Sequence, residues 1–240
     1  MKTDSPVAAH AREALMALAN PVKADFLAGF FKTGKGEYGE GDQFLGITVP
    51  AVRGVAMQFR SLPLKECEVL LQSKYNDVRL LALIILVRHY ERGDESVREA
   101  IFQIYLKHRQ FVNNWNLVDS SAAQVVGAHL LNRNRKLLYE LVTSKSLWDR
   151  RIAVISTFAF IRKNDFTDIF KLSEQLLEDR HDLMHKACGW MLREVGKRDE
   201  SALKGFLKRF HQRMPRTMLR YAIERFSPAV RKAYLAGKFD

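Results

Sequence analysis

"SKYNDVRLLALIILVRHYER" (residues 73–92) and "SKSLWDRRIAVISTFAFIRK" (residues 144–163) share one plan: Ser-Lys, a few variable residues, an arginine, then an apolar helix ending in basic residues. Aligning Arg79 with Arg151 gives a separation of 72 residues, and Trp115 lies halfway. Steps of 34 to 36 residues then reach Lys186 in "HKACGWMLREVGKR" and Arg220 in "MPRTMLRYAIERF". Each of these positions opens a strongly apolar helical pattern, and each such pattern follows another helical segment. Self-similarity at this period is the mark of stacked helical pairs, which share one continuous core because no single pair can bury its apolar face alone. The expected fold is therefore all-α: a curved α-solenoid of HEAT-like helical-pair repeats with a concave basic groove.

No stretch alternates apolar and polar residues for long enough to demand a strand. The clearest break is "KTGKGEYGEGDQFLGITVP" (residues 32–50), whose five glycines and proline read as a loop. It lacks the spacing of a phosphate-cradling loop and follows no strand. One domain over residues 1–240 is expected, with an N-terminal helical hairpin and Gly-rich loop to about residue 50. Repeats would fill residues 51–228, before a basic C-terminal tail.

The 240 residues are 47% hydrophobic and 28% charged, an ordinary globular composition rather than that of a disordered chain. The net charge of +12 is large for this length, and residues 193–240 hold thirteen Lys or Arg against five Asp or Glu. Such an excess attracts polyanions. The longest apolar run, residues 80–87, is too short to span a bilayer. The N-terminal residues carry no signal-type apolar core, so a cytoplasmic protein without membrane attachment is expected. Cys67 and Cys188 lie far apart in helical patterns and read as buried thiols. No metal or cofactor is expected, because the seven histidines form no ligand cluster beyond the pair His181 and His185.

The repeat register makes a further deduction. If Arg79, Trp115, Arg151, Lys186 and Arg220 are equivalent, so are the residues one turn on: Leu83, Asp119, Ile155, Trp190 and Glu224. A cationic ladder, Arg79, Arg151, Lys186 and Arg220, suits the evenly spaced phosphates of a nucleic acid. Asp119 does not, since a carboxylate repels phosphate. It could stabilise a cation, and hydrolysis of an N-glycosidic bond develops one at the sugar, in a transition state like an oxocarbenium ion. The indoles of Trp115 and Trp190 would favour a cation too. Periodicity alone leaves open that Asp119 braces a loop and that the two tryptophans are core residues.

Four ordered segments carry a resemblance. "NNWNLVDSSA" (residues 113–122) is similar to the WxxxD segment of the AlkD-like DNA alkylation repair family, the HEAT-like-repeat DNA glycosylases. "LWDRRIAV" and "KACGWMLREVGK" resemble its two following signature helices, and "FLGITVPAVR" its FLGI-x-x-P segment. The resemblance implies a monofunctional glycosylase that excises cationic N-alkylpurines of the 3-methyladenine and 7-methylguanine type from double-stranded DNA, as a monomer and without a base pocket. Asp119 would be the catalytic carboxylate, Trp115 and Trp190 would pack on the lesion-bearing deoxyribose, and Arg151 would contact the nearby backbone. Lys186 would hold phosphate rather than form a Schiff base. Lesion-adjacent contacts from the N-terminal hairpin, with Phe30 and Tyr38 as candidates, are left open by the length of the Gly-rich loop. The alternatives are a non-catalytic binder of distorted or branched DNA and a HEAT-type scaffold for an acidic protein.

Overall fold

Helix starts follow local capping chemistry in this computed structural model, which describes residues 7–238. The expected domain limits at residues 1 and 240 lie outside that range. Side chains of Asn20, Asp94, Ser146, Asp199 and Ser227 each accept a hydrogen bond from a first-turn backbone N–H, satisfying a donor that the helix itself cannot. Pro21 and Pro228 stand at first helical positions, where the missing N–H costs nothing.

The described residues are helical throughout apart from loops and one isolated bridge between Gln43 and Tyr75, as the absence of alternating patterns implied. They fall into two compact units that meet in sequence at Val125 and Val126. The first contains α1 (Ala8–Met16), α2 (Pro21–Phe30), α3 (Val49–Gln58), α4 (Leu64–Leu71), α5 (Asn76–Arg92), α6 (Glu95–Lys107) and α7 (Trp115–Asp119). The second contains α8 (Ala128–Leu130), α9 (Lys136–Leu141), α10 (Leu147–Ser156), α11 (Phe158–Ile161), α12 (Thr167–Gln175), α13 (Asp182–Gly196), α14 (Glu200–Phe210), α15 (Arg216–Ala222) and α16 (Pro228–Leu235).

Within each unit the helices that carry the ladder positions pack on one another. In the first, α5 packs on α3, α4, α6 and α7; in the second, α13 packs on α10, α14 and, most extensively, α15. This is the pattern of a helical repeat. The run of residues 80–87 is the core of α5, with Leu81, Leu83, Ile85 and Leu86 almost fully buried. Gly189 lets α13 and α15 approach: a Cβ there would lie 2.5 Å from that of Tyr221 and 2.6 Å from the Met218 carbonyl oxygen.

The α-helix that opens at Trp115 is short. It stops at Asp119, and a π-helical turn, Ala123–Gly127, precedes the short α8. The serines explain the break. Ser120 Oγ donates to the Asn116 carbonyl at 2.7 Å and Ser121 Oγ to that of Leu117 at 2.6 Å, loading carbonyls that helical N–H groups would otherwise use. Widened turns of this kind recur at functional sites.

The Gly-rich loop is folded onto the start of α5. Buried Asp42 accepts from the Arg79 guanidinium, from Asn76 Nδ2 at 2.8 Å and from Asn114 Nδ2 at 3.1 Å. Asp77 accepts the backbone N–H groups of Leu45 and Ile47, at 2.7 and 3.1 Å. Gly39 and Gly46 serve this docking, since a Cβ at either would strike backbone: the Phe31 carbonyl at 2.4 Å or that of Asn20 at 2.2 Å. No described helix is long and apolar enough to cross a membrane.

Candidate nucleic-acid interface and catalytic residues

Trp115 is the first residue of α7 and Asp119 its last, which sets them one turn apart on one face. Trp115, Asn116, Asp119 and Ser120 are half-buried, whereas Leu117 and Val118 point into the core. The polar stripe of α7 is therefore the accessible side of a helix anchored by its aliphatic side. Asn114 caps it, accepting the Trp115 N–H at 2.9 Å. Asn116 and Asn76 exchange amide hydrogen bonds at 2.7 and 3.4 Å, tying α7 to the first turn of α5.

The Trp115 indole lies nearly parallel to the Phe31 ring, 4.8 Å between centroids, and Phe30 meets it edge-on at 6.0 Å. Phe44 stacks on the other side of Phe31 at 4.7 Å. Tyr38 donates its hydroxyl to the Phe30 carbonyl at 3.4 Å. Of the two hairpin candidates, Phe30 thus stands beside Trp115 and Tyr38 supports Phe30. Below α7, fully buried Tyr105 shares a hydrogen bond with Ser121 at 3.1 Å. Its phenol is held protonated well above the usual range, first by burial and further by the charge of Asp119.

The basic ladder divides. Arg151, Lys186 and Arg220 are each the fifth residue of their helices, α10, α13 and α15, so the repeat register is exact there. Arg79 is the fourth residue of α5, and Trp115 the first of α7. Exposure divides them differently. Arg79, expected as a phosphate contact, is buried and spent on Asp42, Asn113 and the Ser73 carbonyl, so it cannot meet a ligand without breaking the loop that it holds. Arg151 is buried as well, donating to the Leu183 carbonyl at 2.6 Å in the first turn of α13.

Lys186 and Arg220 line one cavity of about 420 Å³ with Asp182, Thr217, Tyr221, Glu224 and Arg231. Lys186 pairs with Asp182 at 2.7 Å, and Arg220 is exposed. One turn on from the ladder, Leu83 and Ile155 are buried, Trp190 is half-buried beside Phe158 at 6.2 Å, and Glu224 is exposed. Among the described residues no group of three or more His, Cys, Asp or Glu side chains is placed to hold a metal ion.

Sequence reasoning missed Phe31, Phe44 and Asp42. The phenylalanines sit far from Trp115 in the chain, and Asp42 looks like any loop carboxylate. Only the docking of the loop on α5 brings them to α7.

Helices packed on one another in this way within each unit define a helical-repeat protein. The chain belongs to the family whose model is described as DNA alkylation repair enzyme, which matches residues 11–226. Its fold is similar to that of a predicted DNA alkylation repair enzyme from Enterococcus faecalis, with a TM-score of 0.70 and 17% identity, covering 88% of this chain and 97% of the other. No curated protein matches the sequence.

Proposed function

We propose that the protein is a monofunctional DNA glycosylase that removes cationic N-alkylated purines, of the 3-methyladenine and 7-methylguanine type, from double-stranded DNA. The observation that carries this reading is Asp119, a carboxylate on the accessible face of α7 one turn from Trp115, in a family of DNA alkylation repair enzymes. An anion gains nothing from phosphate; it gains from a sugar that becomes cationic.

In the proposed reaction the N-glycosidic bond breaks with both electrons passing to the base, which leaves neutral because alkylation had made it cationic. Asp119 stabilises the sugar cation, and a water adds at C1′ and passes its proton to the Asp119 carboxylate and on to solvent, leaving an abasic site. No general acid is required. Trp115, one turn from Asp119, offers its indole to the sugar. Lys186 and Arg220 hold phosphates, and Arg151 acts as a positioning residue by fixing the turn of α13 that precedes Lys186. Lys186 is paired with Asp182 at 2.7 Å, and its proposed role is phosphate contact rather than Schiff-base chemistry.

Asp119→Asn tests the reading. Release of 7-methylguanine from methylated duplex DNA should fall at least about 100-fold, the scale of losing one electrostatic stabiliser, while DNA affinity holds or rises. A wild-type protein that binds this DNA but releases no base would instead be a non-catalytic binder of distorted DNA.

A further inference from the structure

Helix α16, Pro228–Leu235, follows the residues 11–226 that match the family. Its charge is one-sided, with Arg231 and Lys232 in sequence and no acid in the helix. It packs on α15, and the guanidinium of Arg216, the first residue of α15, donates to the carbonyl of Leu235 at the far end of α16. The two helices border a cavity of about 480 Å³ lined by Arg216, Pro228, Arg231, Lys232, Leu235 and Ala236. Among the described residues three cations line it and no carboxylate does.

Arg231 also lines the neighbouring cavity of Lys186 and Arg220, so one guanidinium stands between the two spaces. The acids of that second wall are already matched, Asp182 by Lys186 and Glu224 by Arg193. The charges of Arg220 and Arg231 remain, neither of them paired with a carboxylate among the described residues. Arg231 Nε is buried with no hydrogen-bond partner among those residues. A buried donor left so lowers stability until a ligand supplies the acceptor.

A single small anion fills one cavity and leaves the cations of the other unmatched. A chain of anions meets both, with Arg231 between them. The phosphates of a nucleic acid strand are such a chain, and cations matched to them gain affinity by releasing counterions. An acidic peptide carries its charges on flexible side chains that must be ordered on binding, whereas phosphodiesters belong to the backbone itself.

We propose that α15 and α16 form a phosphate-binding stretch for successive backbone phosphates of duplex DNA, with Arg231 bridging from Lys186 and Arg220 to Arg216 and Lys232. The proposal rests on DNA as the partner and not on the chemistry at Asp119. It carries the interface past the last rung of the repeat ladder, onto a helix outside the ladder.

The test is binding of an undamaged duplex by the full chain across a salt series. Lys232→Glu changes an exposed side chain, and Arg231→Gln is checked for native fold by circular dichroism. In each variant the slope of log affinity against log salt should flatten by roughly 0.9, the share of one phosphate. Lys171→Glu, an exposed change on α12 that lines neither cavity, should keep the wild-type slope. Equal flattening there reduces the effect to net charge and overturns the proposal, as do unchanged slopes in both Lys232→Glu and Arg231→Gln. Loss of inorganic phosphate binding at unchanged slope assigns the cavity to a free anion, and loss of polyglutamate binding at unchanged slope assigns it to an acidic protein; either result overturns the DNA assignment. Flattened slopes in a protein that releases no 7-methylguanine support this proposal and sink the glycosylase reading, whereas base release with unchanged slopes does the reverse.

Discussion

Arg79 and Asp42 form a buried ion pair that fastens the Gly-rich loop to α5, with side chains only 4% and 1% exposed. Two further donors, Asn76 and Asn114, complete the carboxylate's partners. The most conspicuous arginine of the repeat pattern is therefore a structural brace. Arg79→Ala strands a buried carboxylate and should cost about 3–5 kcal/mol, read by urea denaturation. DNA binding by the fraction still folded should keep its salt dependence. A near-neutral effect on stability would show that the pair is not the brace described.

Arg220 gives the opposite expectation. It is exposed on the wall of the cavity that it shares with Lys186, so Arg220→Ala should change stability by less than about 0.5 kcal/mol. If it holds one phosphate, the slope of log affinity against log salt should flatten by roughly 0.9. An unchanged slope would remove it from the interface. Binding to an acidic protein with no DNA binding at low salt would favour the scaffold alternative.

Cys67 and Cys188 are buried and unbridged, and burial pushes both thiols up from 9.0 to about 12. The folded protein thus keeps two protons that the unfolded chain releases in alkali. This contribution to stability is intact below pH 9.0 and is lost as pH rises toward about 12. Native protein near neutral pH should not react with an aromatic disulfide reagent, whereas denatured protein should yield both thiols. Rapid labelling of the native state would contradict this burial.

Gly189 sits where α13 meets α15. Gly189→Ala would press a methyl group against the Met218 carbonyl oxygen, 2.6 Å from the ideal Cβ position, and backbone cannot swing aside as a side chain does. Overpacking of this kind costs about 1–3 kcal/mol. A helix-propensity gain of about 1 kcal/mol offsets part of this, and thermal melts should show a net loss of stability. A stabilised variant would mean that the two helices separate readily.

Much of the fold was legible because helical repeats write their packing into local periodicity. The spacing of Arg151, Lys186 and Arg220 marks the same turn of three helices, and the aliphatic run of residues 80–87 is the core of α5. The site was legible in part. Trp115 and Asp119 share a face because any helix places i and i+4 together, so their juxtaposition follows from sequence.

What periodicity could not decide is which ladder residues are exposed, because burial depends on what another part of the chain brings. Arg79 and Arg220 look alike in the repeat, yet Asp42, 37 residues before Arg79, claims one while the other stays accessible. Nor could a helical pattern reveal that Ser120 and Ser121 end α7 by turning their hydroxyls back on its carbonyls. The sequence by itself determined the helices, their repeat and the pairing of an indole with a carboxylate, all set by contacts within a turn or two. Tertiary structure decided the loop's anchorage, the ring cluster around Trp115 and the division of the basic residues into braces and open contacts, since each depends on groups distant in the chain that meet only when the core closes.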